Sequence, residues 1–131
     1  MISDPWYSAA VLAARVLLAG PYLWSGYEKA RNFSRALDEF AEARVPFLRF
    51  TTIATITLHL IGGVCLVAGW FVPQVAIVLA VFTLVATLRV HTFWNMEGIE
   101  RLLRTRVAFA NYGLVGGLIL LAAIDPGTWV L

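Results

Sequence analysis

The residues of this sequence that could do chemistry are a few polar side chains set within long apolar stretches. Ser8, Arg15, Tyr22 and Lys29 recur every seven residues, so on a helix they form one stripe. Arg15 lies roughly 14 Å inside its apolar segment at the usual helical rise. An arginine facing lipid at that depth costs about 2.5–3.5 kcal/mol on insertion scales. The other helices must therefore supply hydrogen-bond acceptors or a water-filled cavity around it.

Further polar side chains lie in the other apolar stretches. On a helix Thr55 and His59 share a face, and we expect His59 at nearly the depth of Arg15. Arginine, tyrosine and histidine could hold and protonate the headgroup of a quinone or another small amphiphile. The predicted ligand-binding residues are Arg15, Tyr22, His59, His91 and Asn111, with Glu28 and Lys29 at the rim of the site.

Two other interpretations of these residues stay open. Arg15 could instead bind backbone carbonyl groups and hold the helices together. His59 and His91 could ligate a b-type haem, but their estimated depths differ by about 10 Å, which disfavours shared ligation. The sequence contains no metal-ligand cluster, no phosphate-binding loop and no nucleophile elbow. We therefore predict no metal site and no tightly bound cofactor, with a quinone as the ligand that the residues suit.

The elements that must position these residues are four apolar segments. Of the 131 residues, 60% are hydrophobic and 14% are charged, and a soluble domain of this size cannot bury so much apolar surface. We predict an all-α fold: an integral membrane four-helix bundle in one domain over 1–131. The predicted spans are 6–27, 50–70, 74–94 and 107–124.

A short helix is predicted between the first two spans. Its apolar residues recur at helical spacing with charges between them, and they are Phe33, Leu37, Phe40 and Ala41. The pattern is typical of an amphipathic helix at the membrane interface, starting near Ser34 as N-cap and ending near Arg44. A simple solvated connector is the alternative.

The basic residues predict the orientation of the spans. Eight of the ten lysines and arginines lie in two connectors, 28–49 and 95–106. By the positive-inside rule both connectors are cytoplasmic, and both termini are periplasmic or extracellular. The net charge of +2 therefore reflects orientation in a bacterial inner membrane, and we expect the lipid bilayer but no nucleic acid as a partner.

Glycines mark the predicted contacts between helices. Gly62 and Gly63 lie in the second span, and Gly113 and Gly117 form a GxxxG pair in the last one. Small residues allow helix backbones to approach closely in a membrane. We expect all four glycines to serve packing inside the bundle.

The order of these motifs resembles the DoxX family of small four-span bacterial membrane proteins. The stretches that carry the resemblance are RVLLAG (15–20), SGYEKARNF (25–33), HLIGGVCLVAG (59–69), VHTFW (90–94) and NYGLVGGLILL (111–121). Each motif is loose alone, but their order and spacing together are fairly specific. The chain departs from the pattern at His59, where the family often has an acidic residue, and at Ala110, where it often has lysine. Without that acid, Arg15 lacks its obvious anionic partner.

The resemblance implies a four-helix membrane fold and a link to redox chemistry. Some members are associated with thiosulfate:quinone oxidoreductases and terminal-oxidase complexes, and others with membrane assemblies that handle oxidative stress and thiols. We therefore expect a subunit of a redox-associated complex with a quinone-type site, and, if it is enzymatic, a part of a quinone-linked oxidoreductase. Its partners would be other membrane subunits or further copies of the chain.

Two other functions are compatible with the sequence. The first is a non-catalytic scaffold subunit that packs against a larger membrane complex through the Gly113 and Gly117 face. The second is a small transporter or channel, which the absence of a detectable inverted repeat disfavours for a monomer.

Overall fold

The computed structural model describes residues 4–89 and 96–131. Within these residues the chain forms five helices: α1 (Pro5–Arg31), α2 (Phe33–Glu42), α3 (Leu48–Ala68), α4 (Val72–Arg89) and α5 (Gly98–Ala123). All except α2 are long and apolar enough to cross a membrane. The predicted all-α membrane fold, with a short helix between spans 1 and 2, is therefore confirmed. The predicted end of the third span, at 94, lies outside the described residues, and α5 begins nine residues before the predicted start at 107.

Local signals set the ends of the helices. Asp4 caps α1 by accepting a hydrogen bond from the Trp6 amide at 2.9 Å, with Pro5 as the first helical residue. Helix α3 ends at Ala68, and its C-cap is Gly69. The φ of Gly69 is 85°, the left-handed conformation that glycine adopts without strain. The amides of Gly69 and Trp70 both donate to the Cys65 carbonyl, so the chain turns at once into α4.

Helix α2 lies against the bundle on one face only. Ala36 and Phe40 are buried, whereas Arg35 and Asp38 are exposed. The predicted N-cap at Ser34 is wrong, because the helix begins one residue earlier and Asn32 occupies the cap position without a side-chain hydrogen bond. The amide of Ala36 bonds the Asn32 carbonyl, which sets the first turn before Ser34 could cap it.

The four long helices alternate in direction. We call the end that carries α2 and the start of α5 the connector end, and the end where residues 69–71 join α3 to α4 the turn end. Helix α1 packs mainly on α3, and α4 mainly on α5. The buried apolar core between them includes Val11, Ala19, Leu66, Leu79, Val115 and Leu118. The segment 124–131 folds back over the turn end, where the Leu131 amide bonds the Ala68 carbonyl.

The predicted packing glycines divide into two groups. A Cβ atom built on Gly62 would lie 3.3 Å from Leu79, one on Gly63 2.6 Å from Leu23, and one on Gly117 3.0 Å from Leu18. These three lie at helix contacts inside the bundle.

Gly113 does not pack inside the bundle, contrary to the prediction. It is exposed, and a Cβ atom there would have no heavy atom within 4 Å. Gly113 and Gly117 share one face of α5, so the difference lies in their level along the helix: Leu18 of α1 packs against Gly117, and no described side chain reaches Gly113 one turn earlier.

This difference predicts opposite effects for two identical substitutions. Gly63→Ala should lower the free energy of unfolding by about 1–3 kcal/mol, because the new methyl group overlaps Leu23 at the contact between α1 and α3. Gly113→Ala is the matched control and should be neutral or stabilising by up to about 1 kcal/mol, since alanine favours helix. Equilibrium unfolding in mixed detergent micelles measures both, and equal effects would contradict the packing described.

Candidate ligand-binding site

A cavity of about 160 Å³ lies between the four long helices, on the connector side of their middle. We call it the His59 cavity, and the polar residues that line it are Tyr22, Ser25, Lys29, Glu39, Thr55, His59, Thr83 and Asn111. Phe40 of α2 and Phe82 of α4 contribute apolar walls. An engineered protein cavity of about 150 Å³ holds benzene, so this volume suits a single six-membered ring.

Hydrogen bonds across three helices build one side of the cavity. The hydroxyls of Tyr22 and Thr83 lie 2.6 Å apart, which links α1 to α4. The Thr87 hydroxyl donates to the Thr83 carbonyl at 2.7 Å and accepts from the Asn111 amide at 3.1 Å, which adds α5. This network holds the Tyr22 ring in place as part of the wall.

His59 forms the opposite side, and it is only 7% exposed. Its Nδ1 lies 3.2 Å from the Ser25 hydroxyl, and that hydroxyl accepts a hydrogen bond from the Lys29 ammonium at 2.7 Å. The rings of Tyr22 and Phe82 each meet the imidazole edge to face, with centroids 5.2 Å away. Its Nε2 is buried and has no hydrogen-bond partner among the described residues.

These contacts fit either tautomer of a neutral His59. An ammonium group only donates, so the Ser25 hydroxyl accepts from Lys29, and it can either donate its own hydrogen to Nδ1 or accept from a protonated Nδ1 with its second lone pair. In the first case Nε2 carries the ring proton, and in the second it is an acceptor. A buried polar atom without a partner costs about 1–3 kcal/mol, and a complementary group on a ligand in the cavity would remove that penalty.

Arg15 does not line this cavity. It is 1% exposed at the turn end, where Nε donates to the Leu66 carbonyl at 2.8 Å and Nη2 to the Val67 carbonyl at 2.9 Å. Nη1 donates to the carbonyls of Trp129 at 2.9 Å and Pro126 at 3.2 Å. These contacts match the alternative interpretation, in which Arg15 binds backbone carbonyls.

The expectation that Arg15 and His59 share a depth is therefore wrong. Along α3 the Leu66 carbonyl is seven residues beyond His59, or about 10 Å along the helix axis. Side chains on a helix lean toward its N-terminus, and the N-terminus of α1 is at the turn end. The long arginine side chain thus reaches away from the His59 cavity.

Arg15 instead completes the end of α3. The last four carbonyls of a helix have no partner within it. Here Cys65 accepts from Gly69, Leu66 and Val67 accept from Arg15, and Ala68 accepts from Leu131. The positive guanidinium also lies at the negative end of the helix dipole, where a cation is favourable.

The other predicted site residues lie in several places. Three of the predicted ligand-binding residues, Tyr22, His59 and Asn111, line the His59 cavity together with Lys29, which was predicted at the rim. His91 lies outside the described residues. Glu28 is at the rim, in a wider cavity of about 540 Å³ that opens at the connector end and also contains Lys29. Its carboxylate is 3.6 Å from exposed Arg35, a pair that contributes little at a surface.

Several residues of the site were not among the predicted ones, and two of them bond to the predicted residues. Ser25 and Thr83 connect the cavity walls through hydrogen bonds to His59 and Tyr22. Their signal in the sequence is weak, because serine and threonine can bond their own helix backbone. Across 4–89 and 96–131, the structure brings together no group of three histidine, cysteine, aspartate or glutamate residues that could hold a metal ion.

The fold and site together define a four-span helical membrane protein with a polar-walled cavity inside the bundle. The chain belongs to the DoxX family, whose sequence profile matches residues 10–92, more than half of its length. It is also similar to the inner membrane protein YphA of Escherichia coli (strain K12), with 23% identity over 118 residues that cover 89% of this chain and 84% of that protein. No solved structure matches the chain at a significant level.

Proposed function

We propose that this DoxX protein is a membrane subunit of a redox-associated complex and binds a quinone-type ring amphiphile in the His59 cavity. The observation that carries the proposal is the buried Nε2 of His59, a ring nitrogen in the cavity wall without a partner among the described residues. The proposal takes Nε2 as the protonated nitrogen, with Nδ1 accepting from Ser25. A quinone carbonyl oxygen is an acceptor of the kind that this atom requires.

The remaining walls suit the same ligand. The cavity volume of about 160 Å³ fits one ring, and the flat side chains of Tyr22 and Phe82 line it. Asn111 lines the cavity and donates one amide hydrogen to Thr87, and its side chain has a second amide hydrogen and a carbonyl oxygen that could bond a ligand. On the connector side, Lys29 donates to the Ser25 hydroxyl, which in turn bonds Nδ1 of the imidazole. The cavity thus offers a neutral ring both a donor and apolar surfaces.

We also propose in which membrane the protein lies and which subunit transfers electrons. Similarity to an inner membrane protein and the basic connectors support a bacterial inner membrane with the connector end in the cytoplasm. The chain has one cysteine, Cys65, too few for an iron–sulfur cluster of its own. We therefore assign electron transfer to a partner subunit.

A direct binding measurement tests the proposal. The purified chain in lipid nanodiscs should bind a short-chain ubiquinone analogue saturably, with one molecule per chain, in equilibrium dialysis against empty nanodiscs. Gentle extraction from native membranes should also yield a redox enzyme or quinone together with the chain. Unsaturable binding, with a large non-redox complex in the extract, would favour the scaffold function instead.

A further inference from the structure

A second cavity adjoins the His59 cavity on its apolar side. It measures about 240 Å³ and lies between α3 and α4, below the end of α2. The two cavities have four lining residues in common: Phe40, Thr55, Phe82 and Ala86. Beyond this shared wall the second cavity continues to Val85, which is 54% exposed on the outer surface of the bundle. We call it the α3–α4 groove.

The opposite side of the His59 cavity has a different chemical character. There the rim cavity at the connector end shares Ser25, Lys29 and Glu39 with it. The rim cavity also contains Glu28 and Arg35, so its opening is charged. An apolar chain in that opening would be placed among ionic groups and water. The α3–α4 groove has one charged lining residue, Arg89, and otherwise offers mainly apolar surface and an outlet between two spans.

We infer that the occupant of the His59 cavity carries a long apolar chain, and that this chain lies in the α3–α4 groove and leaves the bundle past Val85. The inference rests on the proposed function and extends it to the class of ligand: a lipid-soluble molecule with one ring as its head. The ring would meet Nε2 of His59, while the chain crosses the shared wall. A water-soluble ring compound would leave the groove unused.

Val85 is the residue on which the test depends. It lines the α3–α4 groove but not the His59 cavity, so a larger side chain there narrows the exit of the groove and leaves the ring site unchanged. Val81 provides a matched control, because it lies one turn earlier on α4, is also exposed and lines none of the cavities described above. The same change to tryptophan at the two positions separates an effect on the groove from an effect on the bundle surface.

The test compares two probes with the same ring. One is 2,3-dimethoxy-5-methyl-1,4-benzoquinone, which has no chain, and the other is decylubiquinone. Binding to the chain in nanodiscs is expressed for each variant relative to the wild type, so that partition of the probe into lipid cancels. Val85→Trp should weaken binding of the decyl probe at least about fivefold and binding of the chainless probe by no more than about twofold, whereas Val81→Trp should change neither. Val85→Phe should give the same order with a smaller loss.

Retained binding of the chainless probe shows that a Val85 variant is folded. Equal loss of both probes, or no loss of either, would overturn the route through the groove while the proposed function stands. If the wild-type chain binds neither probe saturably, the proposed function itself fails, and the inference fails with it.

Discussion

Arg15→Ala is expected to lower the free energy of unfolding by roughly 3–5 kcal/mol, one of the two largest effects that the structure predicts. The substitution removes four hydrogen bonds from a fully buried guanidinium. It also leaves the carbonyls of Leu66 and Val67 without partners at the end of α3. Segment 124–131 loses its bonds to Arg15 through Pro126 and Trp129, so we expect it to detach from the turn end first. Equilibrium unfolding in mixed micelles measures the total loss.

Two further variants show whether the loss of stability is specific to the hydrogen bonds of Arg15. Arg15→Lys keeps the charge but cannot reach four carbonyls, so we expect it to lie between the wild type and alanine. Arg89→Ala is the control for removing an arginine, because Arg89 is exposed and bonds the Arg44 carbonyl at 3.1 Å. It should change stability by less than about 0.5 kcal/mol.

The same variants decide between the two interpretations of Arg15. If it is a structural residue, Arg15→Lys should bind the chainless quinone probe as the wild type does, because Arg15 does not line the His59 cavity. If Arg15→Lys had normal stability but no longer bound the probe, Arg15 would belong to the ligand-binding site, as its position in the sequence predicts.

His59→Phe is expected to weaken binding of the quinone probe at least about tenfold, the second large effect. Phenylalanine keeps a flat ring between Tyr22 and Phe82 but has no donor to replace Nε2. Stability should change by less than about 1 kcal/mol, because the lost bond to Ser25 is offset by removal of a buried donor that has no partner in the described structure. Equilibrium dialysis with nanodiscs measures binding, and thermal unfolding measures stability.

Ser25→Ala serves as the companion variant. It leaves the imidazole in place but removes the hydroxyl that holds Nδ1 and receives Lys29. Binding of the probe should weaken less than in His59→Phe, because the imidazole can still carry a proton on Nε2 in one of its two neutral tautomers. Wild-type affinity in His59→Phe would show that the probe does not bond this residue, and the proposed site would have to be abandoned.

Part of the site was predictable because it depends on the face of a single helix. Tyr22 and Lys29 were predicted from their seven-residue spacing, and His59 from its place in an apolar stretch. The structure brings all three to one cavity with Asn111. Ser25 could not be singled out, since its role comes from α3 lying against α1, where Gly26 allows the close approach of Leu60 and His59.

The sequence by itself determined the class of protein: its apolar stretches are too long and too numerous for a soluble domain, and this composition requires spanning helices whatever their arrangement. Only the tertiary structure decided which polar groups meet. Arg15 and His59 look equally deep when residues are counted along each span. In the structure α1 meets His59 at Gly26, eleven residues or about 16 Å along the helix from Arg15, so the register of α1 against α3 separates them. Counting gives a height along one helix only, whereas the relative level of two helices depends on how they pack.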